Sequence, residues 1–184
     1  MANTVRSISF IAVSFIAVSL IVGLIAVESQ LAGDAQARAV TTSGFKRYVN
    51  DKYGYSVDYP GYLIPQGEPD AHDGQKFSST EHPLKMMVWG YYSNWLTGEE
   101  MTIDDERKWA LAHLDGDELP SAKLTYQAGG KNWFVLSGVS QKNVFYQRTI
   151  ATKEAFVTVL IIYPAARKGE FDQTVSHIAA SLKG

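Results

Sequence analysis

The chain has 184 residues, 46% of them hydrophobic and 12% aromatic, with a formal charge of -2 and no cysteine. Near-balanced charge without a Lys/Arg block argues against nucleic-acid binding, which needs a basic stripe to displace counterions. The lack of cysteine excludes disulfides, a thiolate nucleophile, Cys-ligated metals and a lipoprotein anchor on an N-terminal cysteine.

Residues Ile8 to Val27 form an unbroken run of apolar and small residues behind Arg6. A basic start followed by such a run is the build of a secretory signal. Ala35-Gln36-Ala37 supplies the small-x-small pattern that a signal peptidase accepts. The run is also long enough to span a bilayer, so residues 1–37 read as a signal peptide or a signal anchor. Either places the folded part outside the cytoplasmic membrane: in the periplasm, or tethered to the periplasmic face of the inner membrane. Residues 38–44 are small and polar and read as a flexible lead-in, and residues 45–184 as one folded domain.

The domain is organised around Asn50-Asp51-Lys52-Tyr53-Gly54-Tyr55-Ser56-Val57-Asp58-Tyr59-Pro60. A turn at Asp51–Gly54 opens a strand with Tyr55, Val57 and Tyr59 on one face and Ser56 and Asp58 on the other. Phe45–Val49 is its expected partner in the same sheet. Gly61 to Gly74 has prolines, acidic residues and no periodicity, and reads as a loop. Gln75–Thr80 and Leu84–Tyr92 read as a hairpin around Glu81-His82-Pro83.

At Thr102 the period changes from two to 3.6. Thr102 with Asp105 resembles a capping box, and Asp104, Asp105 and Glu106 suit a helix N-terminus. Ile103, Arg107, Ala110, Leu111 and Leu114 form the helical stripe. Gly129-Gly130 between Ala122–Ala128 and Asn132–Val139 is a hairpin signal. Val144–Ala151 and Ala155–Tyr163 follow. Phe156–Tyr163 is the most apolar run of the domain and predicts a central strand covered on both faces. Pro164 ends it, and Phe171, Val175, Ile178, Ala179 and Leu182 predict an amphipathic helix. The expectation is an α+β fold: an α/β/α sandwich with a central antiparallel sheet of six to eight strands flanked by helices.

Several motifs together resemble the PsbP-like family: Tyr53-Gly-Tyr-Ser-Val-Asp-Tyr-Pro60, His72-Asp-Gly-Gln-Lys-Phe77, Asn132-Trp-Phe-Val-Leu-Ser-Gly138, Val144-Phe-Tyr-Gln-Arg148 and Ile161-Ile-Tyr-Pro164. The resemblance runs from Phe45 to Leu182 and implies a Mog-type α/β/α sandwich. It also implies a non-catalytic accessory or binding role: members include extrinsic subunits of membrane complexes, GTPase-binding factors and bacterial envelope proteins. Bacterial relatives usually carry Asn-Gly-Asp-Gly where this chain has Ala71-His72-Asp73-Gly74.

Glu68, Asp70, His72 and Asp73 are the candidate metal ligands, oxygen-rich enough for calcium or manganese; a solvated acidic loop ending in an Asp-Gly turn accounts for the same residues. Ser137 lacks the flanking glycines of a nucleophile elbow, because Val135 and Val139 occupy those positions. His82, His113 and His177 share no ligand spacing, and His177 is expected on the polar side of the last helix. No dinucleotide or Walker glycine pattern occurs. Tyr92 and Trp95, entering the loop before the first helix, are candidate contacts for a partner or ligand. These features predict a non-enzymatic envelope protein that binds a protein partner or small ligand. The alternatives are a divalent-cation protein using residues 68–73 or, least favoured, a hydrolase.

Overall fold

A computed structural model describes residues 44–94 and 98–184. The expectations for residues 1–37, the lead-in up to residue 43 and Trp95 lie outside the described residues. Seven strands form one antiparallel sheet in the order β3-β4-β5-β9-β8-β7-β6. The strands are β3 Ile64–Pro65, β4 Gly74–Ser78, β5 Lys85–Tyr92, β6 Lys123–Gly130, β7 Trp133–Ser140, β8 Asn143–Ala151 and β9 Ala155–Pro164. β9 lies fourth of seven and is buried from Ala155 to Tyr163, as its continuous apolar sequence requires.

The opening hairpin, β1 Phe45–Asn50 and β2 Tyr55–Pro60, is a separate two-stranded sheet. This corrects the expectation that it belongs to the main sheet. Tyr55, Val57 and Tyr59 do point inward, but onto the face of the large sheet rather than along its edge. The outer edge of β2 is taken by the C-terminus, where Ser56 and Lys183 exchange backbone hydrogen bonds of 2.8 and 3.0 Å. The turn is held by Asn50, whose Oδ1 accepts the Tyr53 N–H at 3.0 Å, and by Gly54 at φ 64°.

Helix α1 (Ile103–Ala112) covers one face of the sheet and α2 (Lys168–Ser181) the other, α2 following a short 3-10 turn at Ala165–Arg167. The hairpin lies with α2 over one core, which includes Phe77, Met86, Val159, Ile161 and Ile178. The second core, under α1, includes Met87, Ala110, Leu136, Phe145 and Leu160. The fold is therefore α+β, a sheet flanked by helices on both faces.

Three details depart from the sequence reading. The Gly61–Gly74 segment contains the short strand β3, which pairs with Phe77 and Ser78. Gly129 and Gly130 are not the hairpin turn: they pair with Phe134 and Trp133, and Lys131-Asn132 turns the chain. A Cβ on Gly130 would lie 3.0 Å from Trp133 Cε2, so this glycine makes room for an indole rather than a bend. On α1, Leu111 is exposed, and Glu106 is buried with Ala110.

Candidate functional site

The cap of α1 fixes which of its residues face the sheet. Thr102 Oγ1 accepts the Asp105 N–H at 3.2 Å, and Asp105 Oδ2 accepts the Thr102 N–H at 3.2 Å, the expected capping box. From that start Ile103, Glu106, Ala110 and Leu114 fall on one side at helical spacing. Opposite them the strand register lines up Trp89 with Thr158 and Thr149, and Met87 with Leu160, Gln147 and Leu136.

Helix and sheet do not close completely. Between them lies a cavity of about 260 Å³, walled by Trp89, Tyr91 and Trp109, with Leu160, Thr158 and Gln147 from the sheet and the exposed His113, Asp117 and Glu118 also lining it. Glu106 lines the same cavity at 1% exposure. The Tyr91 hydroxyl donates to Glu106 Oε1, while Glu106 Oε2 is buried without a hydrogen-bond partner among the described residues. Burial raises the Glu106 pKa above the ordinary carboxyl value, with the Tyr91 hydrogen bond opposing the shift. Burial, reinforced by the bond to Glu106, raises Tyr91 as well. His113 caps the helix: its Nδ1 lies 2.8 Å from the Trp109 carbonyl, and its ring stacks on Trp109 at 4.4 Å. Because a carbonyl only accepts, Nδ1 carries the proton in that contact.

A second cavity of about 490 Å³ adjoins the first, with Trp89 and Glu118 lining both. Glu68 and Asp73 of the predicted metal set line it; Asp70 and His72 do not. Glu68 Oε2 lies 3.1 Å from His72 Nδ1, and the Tyr48 hydroxyl donates to Glu68 Oε1 at 2.9 Å. His72, then Tyr48, hold the Glu68 carboxyl below its usual range. The loop is tied to the fold through its carbonyls: His72 O accepts from Asn50 Nδ2 at 3.0 Å, and Asp73 O from the Tyr55 hydroxyl at 3.1 Å. Among the described residues no group of three or more His, Asp or Glu side chains gathers as a metal site.

Tyr92 is 45% exposed and meets Tyr53 in an edge-type ring contact at 5.0 Å between ring centres. The Ser137 hydroxyl donates to the Phe145 carbonyl at 2.8 Å, so its proton is held by the backbone. His82 lies against Tyr62 at 4.1 Å between ring centres. His177 is not on a purely polar side: it stacks on Phe45 at 3.9 Å and places Nε2 3.2 Å from Asp58 Oδ2. Sequence reasoning missed Glu106, which counted only as a favourable charge in the first turn. The usable signal was the capping box, which sets the register that turns residue 106 inward.

No protein-family model and no curated protein matches the chain. Among solved structures, the solution structure of cyanobacterial PsbP (CyanoP) from Synechocystis sp. PCC 6803 is similar at a TM-score of 0.56 and 16% identity, covering 79% of this chain and 95% of that one. A crystal structure from Bacteroides thetaiotaomicron VPI-5482 matches at a TM-score of 0.45 and 13% identity, covering 77% of this chain and 48% of that one. The chain has the PsbP-like fold.

Proposed function

We propose that this is a non-enzymatic accessory protein of the cell envelope, periplasmic or tethered to the inner membrane, that binds a small ligand in the cavity beneath α1. The observation that carries the reading is Glu106: it lines an aromatic-walled cavity, and one oxygen of its buried carboxyl has no partner among the described residues. A buried polar atom left unsatisfied costs about 1–3 kcal/mol, and a cavity of apolar walls with a few polar groups is the usual form of a small-molecule site. The export signature of residues 8–27 supports the envelope location, and the resemblance to PsbP-like proteins supports the accessory role. The Ser137 hydroxyl is bonded to a carbonyl rather than to a base.

Native mass spectrometry of the protein purified without denaturation tests the reading. The expected result is a reproducible extra mass, lost in Ala110→Leu, which fills the cavity from the helix side. Retention of the same mass by that variant, or the bare chain mass in every gentle preparation, contradicts it.

A further inference from the structure

We infer that the cavity beneath α1 selects a small primary ammonium, its N–H groups bonding Glu106 Oε2 and its charge lying against the rings of Trp89, Tyr91 and Trp109. This inference rests on the reading of that cavity as a ligand site and names the ligand's chemistry.

Three independent features of the wall agree. First, Oε2 of Glu106 needs a donor, and an ammonium supplies one together with the charge that lets a buried carboxylate ionise. Second, three aromatic side chains line the cavity, and an aromatic wall attracts a desolvated cation. Third, among the described residues the titratable side chains lining the cavity are Tyr91 from β5, Glu106 from α1, His113 at its C-cap, and Asp117 and Glu118 from the following loop, with no lysine or arginine among them. The strands β8 and β9 contribute only the uncharged Gln147, Thr158 and Leu160. The bases near these elements are already engaged: Lys76 Nζ lies 2.6 Å from Glu118 Oε1, and Arg107 Nη2 lies 2.9 Å from Asp104 Oδ1. An anion would therefore meet three carboxyl groups, with Lys76 serving as the counter-charge of Glu118. The volume of about 260 Å³ admits a short alkyl or aminoalkyl chain and excludes a large ligand.

The binding step also has a proton signature. Without ligand, burial makes Glu106 hold its proton above the ordinary carboxyl range. An ammonium favours the ionised form, so binding releases a proton from Glu106. Affinity weakens as pH falls below the raised Glu106 pKa, and proton release vanishes above it.

The test is calorimetry on the full chain with four probes: butylammonium, tetramethylammonium, butan-1-ol and butyrate. Measurement in two buffers of different ionisation enthalpy reads the released proton. Butylammonium is expected to bind one to one, about tenfold or more tighter than butan-1-ol. Tetramethylammonium, which lacks an N–H, binds more weakly than butylammonium, and butyrate does not bind. Glu106→Gln is expected to lose about tenfold for butylammonium with an unchanged circular dichroism spectrum. Should that variant fail to fold, the proton release of the native protein decides alone. Equal binding of butan-1-ol, unchanged binding by a folded Glu106→Gln, or absence of proton release below the raised pKa overturns the inference. If a neutral probe binds and Ala110→Leu blocks it, the ammonium inference fails and the cavity reading stands. If no probe binds, the ammonium inference fails, and the mass retained by native protein decides the cavity reading separately.

Discussion

On one face of the sheet the hairpin and α2 close over Val57, Met86, Val159, Ile161 and Ile178, all fully buried. On the other face the ten-residue helix α1 leaves a cavity of about 260 Å³ and a buried carboxylate oxygen without a partner. The first face is further fastened at its rim. Arg47 Nε donates to Asp58 Oδ1 at 2.8 Å, His177 Nε2 lies 3.2 Å from Asp58 Oδ2, and the Asp58 N–H donates to Ser181 Oγ at 2.8 Å. One carboxylate thus joins β1, β2 and α2. The contrast is one of charge and not of filling: the α2 face also keeps a cavity of about 510 Å³, lined by Tyr146, Tyr163 and Val175, and a buried Arg148 Nε without a hydrogen-bond partner among the described residues, whereas the unpartnered atom under α1 belongs to a carboxyl.

That contrast can be sharpened by substitution, and the largest effect belongs to the core beneath α2. Ile178→Ala is expected to lower unfolding stability by roughly 2–5 kcal/mol in denaturant titrations, because it opens a void among fully buried side chains. Ala110→Leu, on the other face, is expected to stay within about 1 kcal/mol of the native protein, since its added methyl groups enter existing space. A loss of about 1–3 kcal/mol there would be the signature of overpacking and would show that the space under α1 does not admit the larger side chain.

Next in size is Thr102→Ala, which removes the α1 cap. It should cost about 1 kcal/mol, and ligand capture should weaken with it because Glu106 and Trp109 ride on that helix. Equal loss of stability with full ligand capture would separate the cavity from the helix.

A smaller effect concerns the rim. The Arg47 hydrogen bond, then the other contacts of Asp58, hold its carboxyl below the ordinary range against the opposing desolvation. A depressed carboxyl contributes stability that is present above its unfolded pKa and lost as pH falls through the folded value. Asp58→Asn should therefore flatten the acid limb of the stability profile by less than about 1 kcal/mol, allowing for solvent screening. An unchanged acid limb would remove Asp58 as the fastening.

Tyr92→Ala is expected to change stability by about 0.5 kcal/mol or less, since its ring is largely outside both cores. If Tyr92 anchors an envelope partner, cross-linking of that partner in intact cells should fall in the variant. Unchanged cross-linking counts against this surface.

The parts of the fold legible from sequence are those where one local pattern has one physical outcome. The unbroken Phe156–Tyr163 run can only be covered on both faces, and it is β9 at the middle of the sheet. The Thr102–Asp105 cap and the Phe171–Leu182 stripe are equally direct, and both helices lie where those patterns put them. The hairpin was not fully legible because Tyr55-Ser56-Val57-Asp58-Tyr59 alternates in the same way whether it lies in a sheet or on top of one. Gly129-Gly130 misled because a glycine pair marks a turn and a close approach alike, and the indole of Trp133 is brought there by pairing across the hairpin. Glu106 stayed hidden for a related reason. An acidic residue in a first turn ordinarily faces water, and only the arrival of Tyr91 from β5 gives the buried carboxyl a donor.

The most direct measurement is carbon-13 NMR titration of the Glu106 side-chain carboxyl, in the free protein and with butylammonium. The expected midpoint lies above the ordinary glutamate range in the free protein and moves down when the ammonium occupies the cavity. An ordinary midpoint in the free protein, or a raised one that butylammonium leaves unmoved, would contradict the claim that this face is left open for a cationic ligand.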